Sequence, residues 1–227
     1  RLRADAALAV AEDDRALAVD TGRRLVALYA DRPAAARGRR ALEGHMAEII
    51  DGRDLVELAE RELLAGIDEK AIRLIVASAK RVSIVTALSP RALVDIFYVL
   101  IESLGLIRRL ALLYGGRPGT LGFFRVFRHA VAHLAVTGGM AAGDSIVGEV
   151  VGQSLASKLS ARLGEGVVNG LMTARLGLAA MDVVRPLPFV GTRRPRVGDV
   201  IAELSRIAPA DKGDRGGRRA QGEPPAS

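Results

Sequence analysis

Cysteine is missing from the chain altogether, which removes disulfides, thiolate metal sites and cysteine nucleophiles from consideration. Tryptophan is absent too, and aromatic residues make up only 4% of the 227; a sheet protein would draw on more of them. No apolar run is long enough to cross a bilayer without interruption. The longest stretch free of Asp, Glu, Lys and Arg is His129 to Gly143, fifteen residues, against the roughly 20 a spanning helix needs. Lysine is scarce: Lys70, Lys80, Lys158 and Lys212 are four among 33 basic residues, a bias toward arginine that by itself implies no phosphate contact. The chain opens at Arg1 in a charged helical context without the basic and apolar segments of a secretion signal, and reads as a processed or excised piece.

What is present is helix-forming. The 49% apolar content comes mostly from Ala, Leu, Val and Ile, a mixture that suits slim helices packed closely together. The formal charge of +7 is unevenly placed. Residues 1–80 hold 14 basic and 15 acidic side chains, so the remaining 147 hold 33 − 14 = 19 and 26 − 15 = 11, a surplus of +8. Neither a groove-reading motif nor an aromatic stacking platform accompanies that charge, so nucleic acid is not the expected partner.

Apolar residues recur at helical spacing from Ala4 to Tyr29, until Asp31-Arg32-Pro33 breaks the pattern. A second helix is expected from about Ala34 to Ile50, and a third after a cap by Asp51 or Asp54. Asp68 reads as the cap of a fourth, Glu69 to about Leu88. Ser89-Pro90 then opens a long helix ending at Tyr114, where Gly115-Gly116 can adopt positive φ. The stretch Gly115, Gly116, Arg117, Pro118, Gly119, Thr120 is read as a structural turn, since no Lys follows to make it a phosphate loop.

Beyond it the helical pattern is studded with Gly143, Gly148, Gly152, Gly164, Gly166, Gly170 and Gly177. Each costs up to ~1 kcal/mol in an exposed helix, so the set implies close backbone approach, as small residues allow between membrane helices. Their grooves call for an occupant: a second subunit, lipid, or a neighbouring helix. Arg185-Pro186-Leu187-Pro188-Phe189 closes this region, and an Arg-, Gly- and Pro-rich tail follows.

Arg108, Arg109, Arg117, Arg125 and Arg128 flank the turn and form the candidate surface for anionic lipid or an acidic partner; a solvated basic rim is the alternative. Asp95 and Glu102, seven apart on one helix face, can pair with Arg175 or Arg185, or line a polar path together with Asp144 and Glu149. His129 and His133 share a face, but the Glu of a zinc-protease helix is lacking, so neither a metal nor a cofactor is expected. Ser89, Ser145 and Ser154 have no base at a telling spacing.

Several motifs together resemble the YcjF-like inner-membrane proteins of proteobacteria. They are Val85-Thr86-Ala87-Leu88-Ser89-Pro90-Arg91-Ala92-Leu93-Val94-Asp95, the turn from Leu113 to Thr120, Ala132 to Gly139, Leu159 to Gly170, and Arg185 to Phe189. The resemblance covers about Ile49 to Phe189. It implies a multi-pass protein of the bacterial inner membrane, with this portion following an N-terminal pair of spans and lying mainly on the cytoplasmic side. It also implies a domain of unknown function found attached to P-loop GTPases, and a GTPase-like partner in an envelope-stress setting.

The expectation is an all-α helical bundle of about seven to eight helices. A polar N-terminal region, residues 1–65, precedes a Gly-rich apolar domain, 66–190, and a largely disordered tail, 191–227. The expected role is a non-enzymatic, membrane-associated scaffold or adaptor, homo-oligomeric, working with a GTPase-like protein. A membrane-embedded conduit with acids inside is the alternative, and an enzyme with a His/carboxylate site stands third.

Overall fold

A computed structural model of the protein describes residues 1–88, 92–116, 128 and 155–207, and the fold is all-α, with no strand among the described residues. Helix α1, Leu2–Glu12, stops where Asp13 takes a left-handed conformation, φ 52° and ψ 36°. The carbonyl of Ala9 then accepts from the amides of both Asp13 and Asp14. Asp14 caps α2, Arg15–Leu28, its carboxylate accepting from the Leu17 amide at 3.0 Å. The single helix expected from Ala4 to Tyr29 is therefore two, because aspartate both tolerates the left-handed region and caps helix starts.

A short 3₁₀ turn, Pro33–Ala35, leads into α3, Ala36–His45, which ends earlier than the expected Ile50. Its end is held by Arg15, whose guanidinium donates to the carbonyls of Met46, Ala47 and Ile49. Helix α4, Gly52–Ala59, runs into a π-helical turn, Glu60–Leu64, and then α5, Ala65–Leu88. Asp51 sits at the start of α4 without a side-chain bond; Asp13 supplies it, accepting from the Arg53 amide at 3.0 Å. Asp68 caps nothing either, because the helix passes through it without a break.

Helix α6, Ala92–Leu113, ends where Gly115 adopts φ 90°. Its Gly115 and Gly116 amides donate back to Leu112 and Ala111, the paired bonds of a glycine-terminated helix. Helix α7, Leu155–Val184, and α8, Val197–Ile207, complete the described elements. The tail expected to be disordered from residue 191 thus carries a helix, and Val200 of α8 is fully buried.

Helices α5 and α7 are antiparallel: Gly166 lies against Ser83 and Ala87, Gly170 against Ala79 and Ser83, and Gly177 against Ile75 and Leu106. A Cβ at Gly166 would come 2.5 Å from the Ser83 carbonyl oxygen, and one at Gly177 2.8 Å from the Ile75 side chain. At these three positions the groove is filled from within the chain, so they give no argument for a second subunit or for lipid. Gly164 differs, since nothing lies within 4 Å of its would-be Cβ.

Two apolar clusters result. One gathers Ala6, Leu25, Tyr29, Leu42, Leu55 and Leu64 from α1 to the π turn, and takes in Leu187 from far along the chain. The other joins Ile75, Leu106, Leu110, Ala180, Met181 and Val200 from α5 to α8. The continuous helix Gly52–Leu88 runs through both.

Candidate functional site

The largest fully buried side chain among the described residues is Arg185, just past the end of α7. Burying a guanidinium demands a partner for each N–H, and the surroundings supply them. Its Nε lies 3.2 and 3.3 Å from the two Asp68 oxygens. Nη2 donates to Asp68 Oδ2 at 2.8 Å and to Glu60 Oε1 at 2.9 Å. Nη1 donates to the carbonyls of Leu187 and Pro188, at 2.9 and 2.8 Å. The Phe189 ring stacks on the guanidinium, 3.9 Å from carbon to centroid.

Glu60 reaches this point because the π turn re-aims its side chain inward, alongside the buried Leu63 and Leu64. Its second oxygen accepts from the amides of Val190 and Gly191, at 3.1 and 2.8 Å, and its first also from the Thr192 hydroxyl. Burial alone would raise the Glu60 pKa; these bonds and the Arg185 charge outweigh it and hold the carboxyl below its ordinary value. Arg185 shifts upward despite its burial, chiefly through Asp68. Tyr114 donates to Asp68 at 2.6 Å, and Tyr29 donates to the Tyr114 carbonyl at 3.2 Å. Burial pushes both phenols well up, so both remain donors. The network locks the loop after α7 onto the π turn, and every N–H of the guanidinium is engaged. It is a fastener between the two apolar clusters, with no open coordination position for a substrate.

Elsewhere the predicted residues separate. The sequence suggests Arg175 or Arg185 as a partner for Glu102, but Glu102 pairs instead with Arg81 at 2.5 Å and Arg109 at 2.6 Å. It also accepts from Ser78 at 2.8 Å. Arg109 is thus turned toward α5, while Arg108 and Arg128 are exposed. Arg117, Arg125, Pro118, Gly119, Thr120, His129, His133, Gly143, Asp144, Glu149, Gly148 and Gly152 lie outside the described residues, as do Ser89, Ser145 and Ser154. Among the described residues no three His, Asp or Glu side chains are grouped to hold a metal. A surface cleft of about 450 Å³ between α2 and α3 is lined by Arg15, Val19, Arg23, Glu43, Met46 and Ala47. Its Arg15 is already committed to the end of α3.

The other conspicuous feature is an apolar end that no other described residue covers. The last turns of α5 expose Ile84 and Leu88, the first half of α6 exposes Phe97, Leu100 and Ile101, and α7 exposes Leu163, Val167 and Val168. Leu88, Ile101 and Phe97 are 79%, 67% and 64% exposed among the described residues. Because α5 runs antiparallel to both α6 and α7, all these positions fall at the same end of the three-helix bundle, opposite Arg185. Single exposed apolar residues are ordinary, whereas a contiguous group marks a surface that something covers. Residues Leu163–Val184 of α7 are also long and apolar enough to cross a membrane, with mean hydropathy 1.4, although half of the apolar window is buried in the chain.

The family model described as Domain of unknown function (DUF697) matches residues 50–208. The chain belongs to this family. The match opens at the start of α4 and closes just after α8, so it takes in the π turn, Arg185 and the apolar end. The UPF0283 membrane protein of Brucella anthropi is 59% identical over 206 residues, covering 91% of this chain and 57% of the relative. That of Brucella ovis is 58% identical over 206 residues, covering 91% and 58%. The chain therefore spans less than three-fifths of the length of these relatives. Their names say membrane protein and no activity, and the resemblance to YcjF-like proteins fits this family. No solved structure matches the chain.

Proposed function

We propose that this chain is a non-enzymatic, membrane-associated scaffold or adaptor. The apolar end of α5, α6 and α7 enters the interface of the bilayer, and the polar helices α1–α3 stand clear of it. The observation that carries the reading is that eight of the fourteen exposed large apolar side chains among the described residues gather at one end of the bundle, Ile84, Leu88, Phe97, Ile101 and Val167 among them, while the other six, Ile50 included, are scattered. An interfacial element buries its apolar face some 5–10 Å into the headgroup boundary, a depth this end supplies without a complete span. The names of the Brucella relatives support a membrane location. The inner membrane, with the polar helices on its cytoplasmic side, is the location the YcjF-like resemblance suggests.

The partner we propose is a GTPase-like protein, the company that same resemblance implies, with self-association as a further possibility for the assembly. The fastener at Arg185 serves such a role by keeping the polar helices at a fixed position relative to the apolar end, so that a partner bound on one is oriented to the other.

Flotation with liposomes tests the membrane half of the reading. The wild-type chain should float with vesicles, and the double variant Phe97→Ser/Ile101→Ser should stay in the dense fraction while retaining its helical signal. A chain that never floats would remove the membrane claim. Affinity capture from solubilised bacterial membranes, with and without guanine nucleotide, tests the partner half. Recovery of no nucleotide-binding protein in either state would remove it.

A further inference from the structure

Just below the apolar end, two guanidinium groups converge on a single carboxylate. Arg81 Nη2 and Arg109 Nη2 lie 2.5 and 2.6 Å from the same oxygen, Glu102 Oε1, and each also lies 3.1 Å from Ser78 Oγ. Two positive charges against one negative leave a surplus of +1, and the exposed Lys80 adds to it on the neighbouring position. The donors are not exhausted. Each guanidinium carries five N–H groups; Nη1 of both arginines has no partner among the described residues, and Arg109 Nε is buried without one. Yet the Arg81 and Arg109 side chains remain 45% and 40% exposed, whereas Glu102 is only 13% exposed. The carboxylate holds the pair together from beneath, and the Nη1 groups of the two partly exposed side chains are left for an acceptor on the solvent side.

The height of this cluster decides what the acceptor is. At 1.5 Å per residue, Leu88 lies about 10 Å beyond Arg81 on α5, and Phe97 about 7 Å beyond Glu102 on α6. An apolar end entering the interface by that distance brings the arginine pair to the level of the lipid phosphates. Guanidinium binds phosphate through paired N–H bonds more effectively than lysine does.

We propose that Arg81 and Arg109, positioned by Glu102 and Ser78, form a binding site for the phosphate headgroup of an anionic phospholipid. The site gives the chain a preference for anionic over zwitterionic membranes. This rests on the apolar end being the membrane-facing surface, and the two claims fail differently in one experiment. Partitioning of the whole chain is measured on vesicles of phosphatidylcholine alone and of phosphatidylcholine with phosphatidylglycerol, at fixed ionic strength.

Arg81→Gln/Arg109→Gln should lower partitioning onto the anionic vesicles by about 25-fold, at ~5-fold for each charge near such a surface. Partitioning onto the neutral vesicles should be unchanged. Glu102→Gln should act in the opposite direction, raising anionic partitioning several-fold by freeing both guanidinium groups, a gain that loss of folding cannot imitate. Inorganic phosphate should release more wild-type protein from the anionic vesicles than chloride of equal ionic strength, an excess lost in Arg81→Gln/Arg109→Gln; equal release of the wild type by the two salts would overturn phosphate recognition at this site. Equal binding of the wild type to both vesicle types would also overturn it while leaving the apolar end as a membrane surface. Binding to neither would overturn both.

Discussion

Replacing Arg185 by Met keeps the length and apolar stem of the side chain but leaves Glu60 and Asp68 facing each other without their cation. Glu60 is fully buried and Asp68 is 15% exposed at its side chain. Removing one partner of a buried ion pair typically costs 3–5 kcal/mol, because an uncompensated charge stays behind. Here the carbonyls of Leu187 and Pro188 lose their donor as well, and the expected cost is therefore at least ~3 kcal/mol. Against the 5–15 kcal/mol that usually separates folded from unfolded chains, that is a large loss. Urea titration followed by circular dichroism at 222 nm reads it directly. The charge argument also predicts rescue: Arg185→Met/Glu60→Gln/Asp68→Asn should recover part of the loss, since neutral amides replace the stranded carboxylates. Lowering the pH toward 5 should narrow the gap between Arg185→Met and wild type, because the fully buried Glu60 carboxyl, deprived of its cation, takes up a proton. A loss below ~1 kcal/mol, or a triple variant no more stable than the single one, would refute the fastener reading.

Acid should weaken the wild type through the same residue. The Glu60 carboxyl is held below its ordinary value, so its contribution is complete above the unfolded value of about 4.3 and is lost as pH falls through the lower folded value; a denaturation series from pH 6 to 2 should show this, and Glu60→Gln should flatten it. Gly170→Leu, which drives a side chain into Ser83 and the Ala79 carbonyl, should cost at least ~1–3 kcal/mol by overpacking, whereas Gly164→Ala should be neutral or stabilising by up to ~1 kcal/mol; melting curves of the two compare them. Gly115→Ala places a Cβ at φ 90° and should cost ~1 kcal/mol or more, read as a lowered melting temperature. Asp14→Ala removes the cap of α2 and should cost ~1 kcal/mol in the same assay.

The all-α class was legible because helical spacing and the scarcity of aromatics point the same way. The end of α6 was legible because glycine at a helix end has a physical signature. Other features depended on the fold itself. The break at Asp13 was hidden inside a periodic apolar pattern that carries across it. The run from Gly52 to Leu88 contains Asp54 and Asp68, which look like caps, and nothing local tells a cap from a carboxylate bound to an arginine more than a hundred residues away. Arg185 was recognised as a possible core cation, but its partners were sought on α6, since Asp95 and Glu102 interrupt an apolar helix. The π turn that brings Glu60 inward leaves no period in so short a stretch. The close approach of Gly166, Gly170 and Gly177 was readable as a need for backbone contact, while the identity of the neighbour, α5 of the same chain, was not.

Because the chain has no native cysteine, a nitroxide can be placed at one chosen position at a time, which allows the most direct test of the membrane-facing end. Spin labels at Phe97→Cys, Val167→Cys and Arg23→Cys, with the protein bound to anionic vesicles, are compared for accessibility to oxygen and to a water-soluble nickel complex. The account predicts that labels at 97 and 167 are reached by oxygen and shielded from nickel, at a depth of about 5–10 Å below the phosphates, while the label at 23 remains open to nickel. Equal nickel access at all three positions on vesicle-bound protein would contradict it.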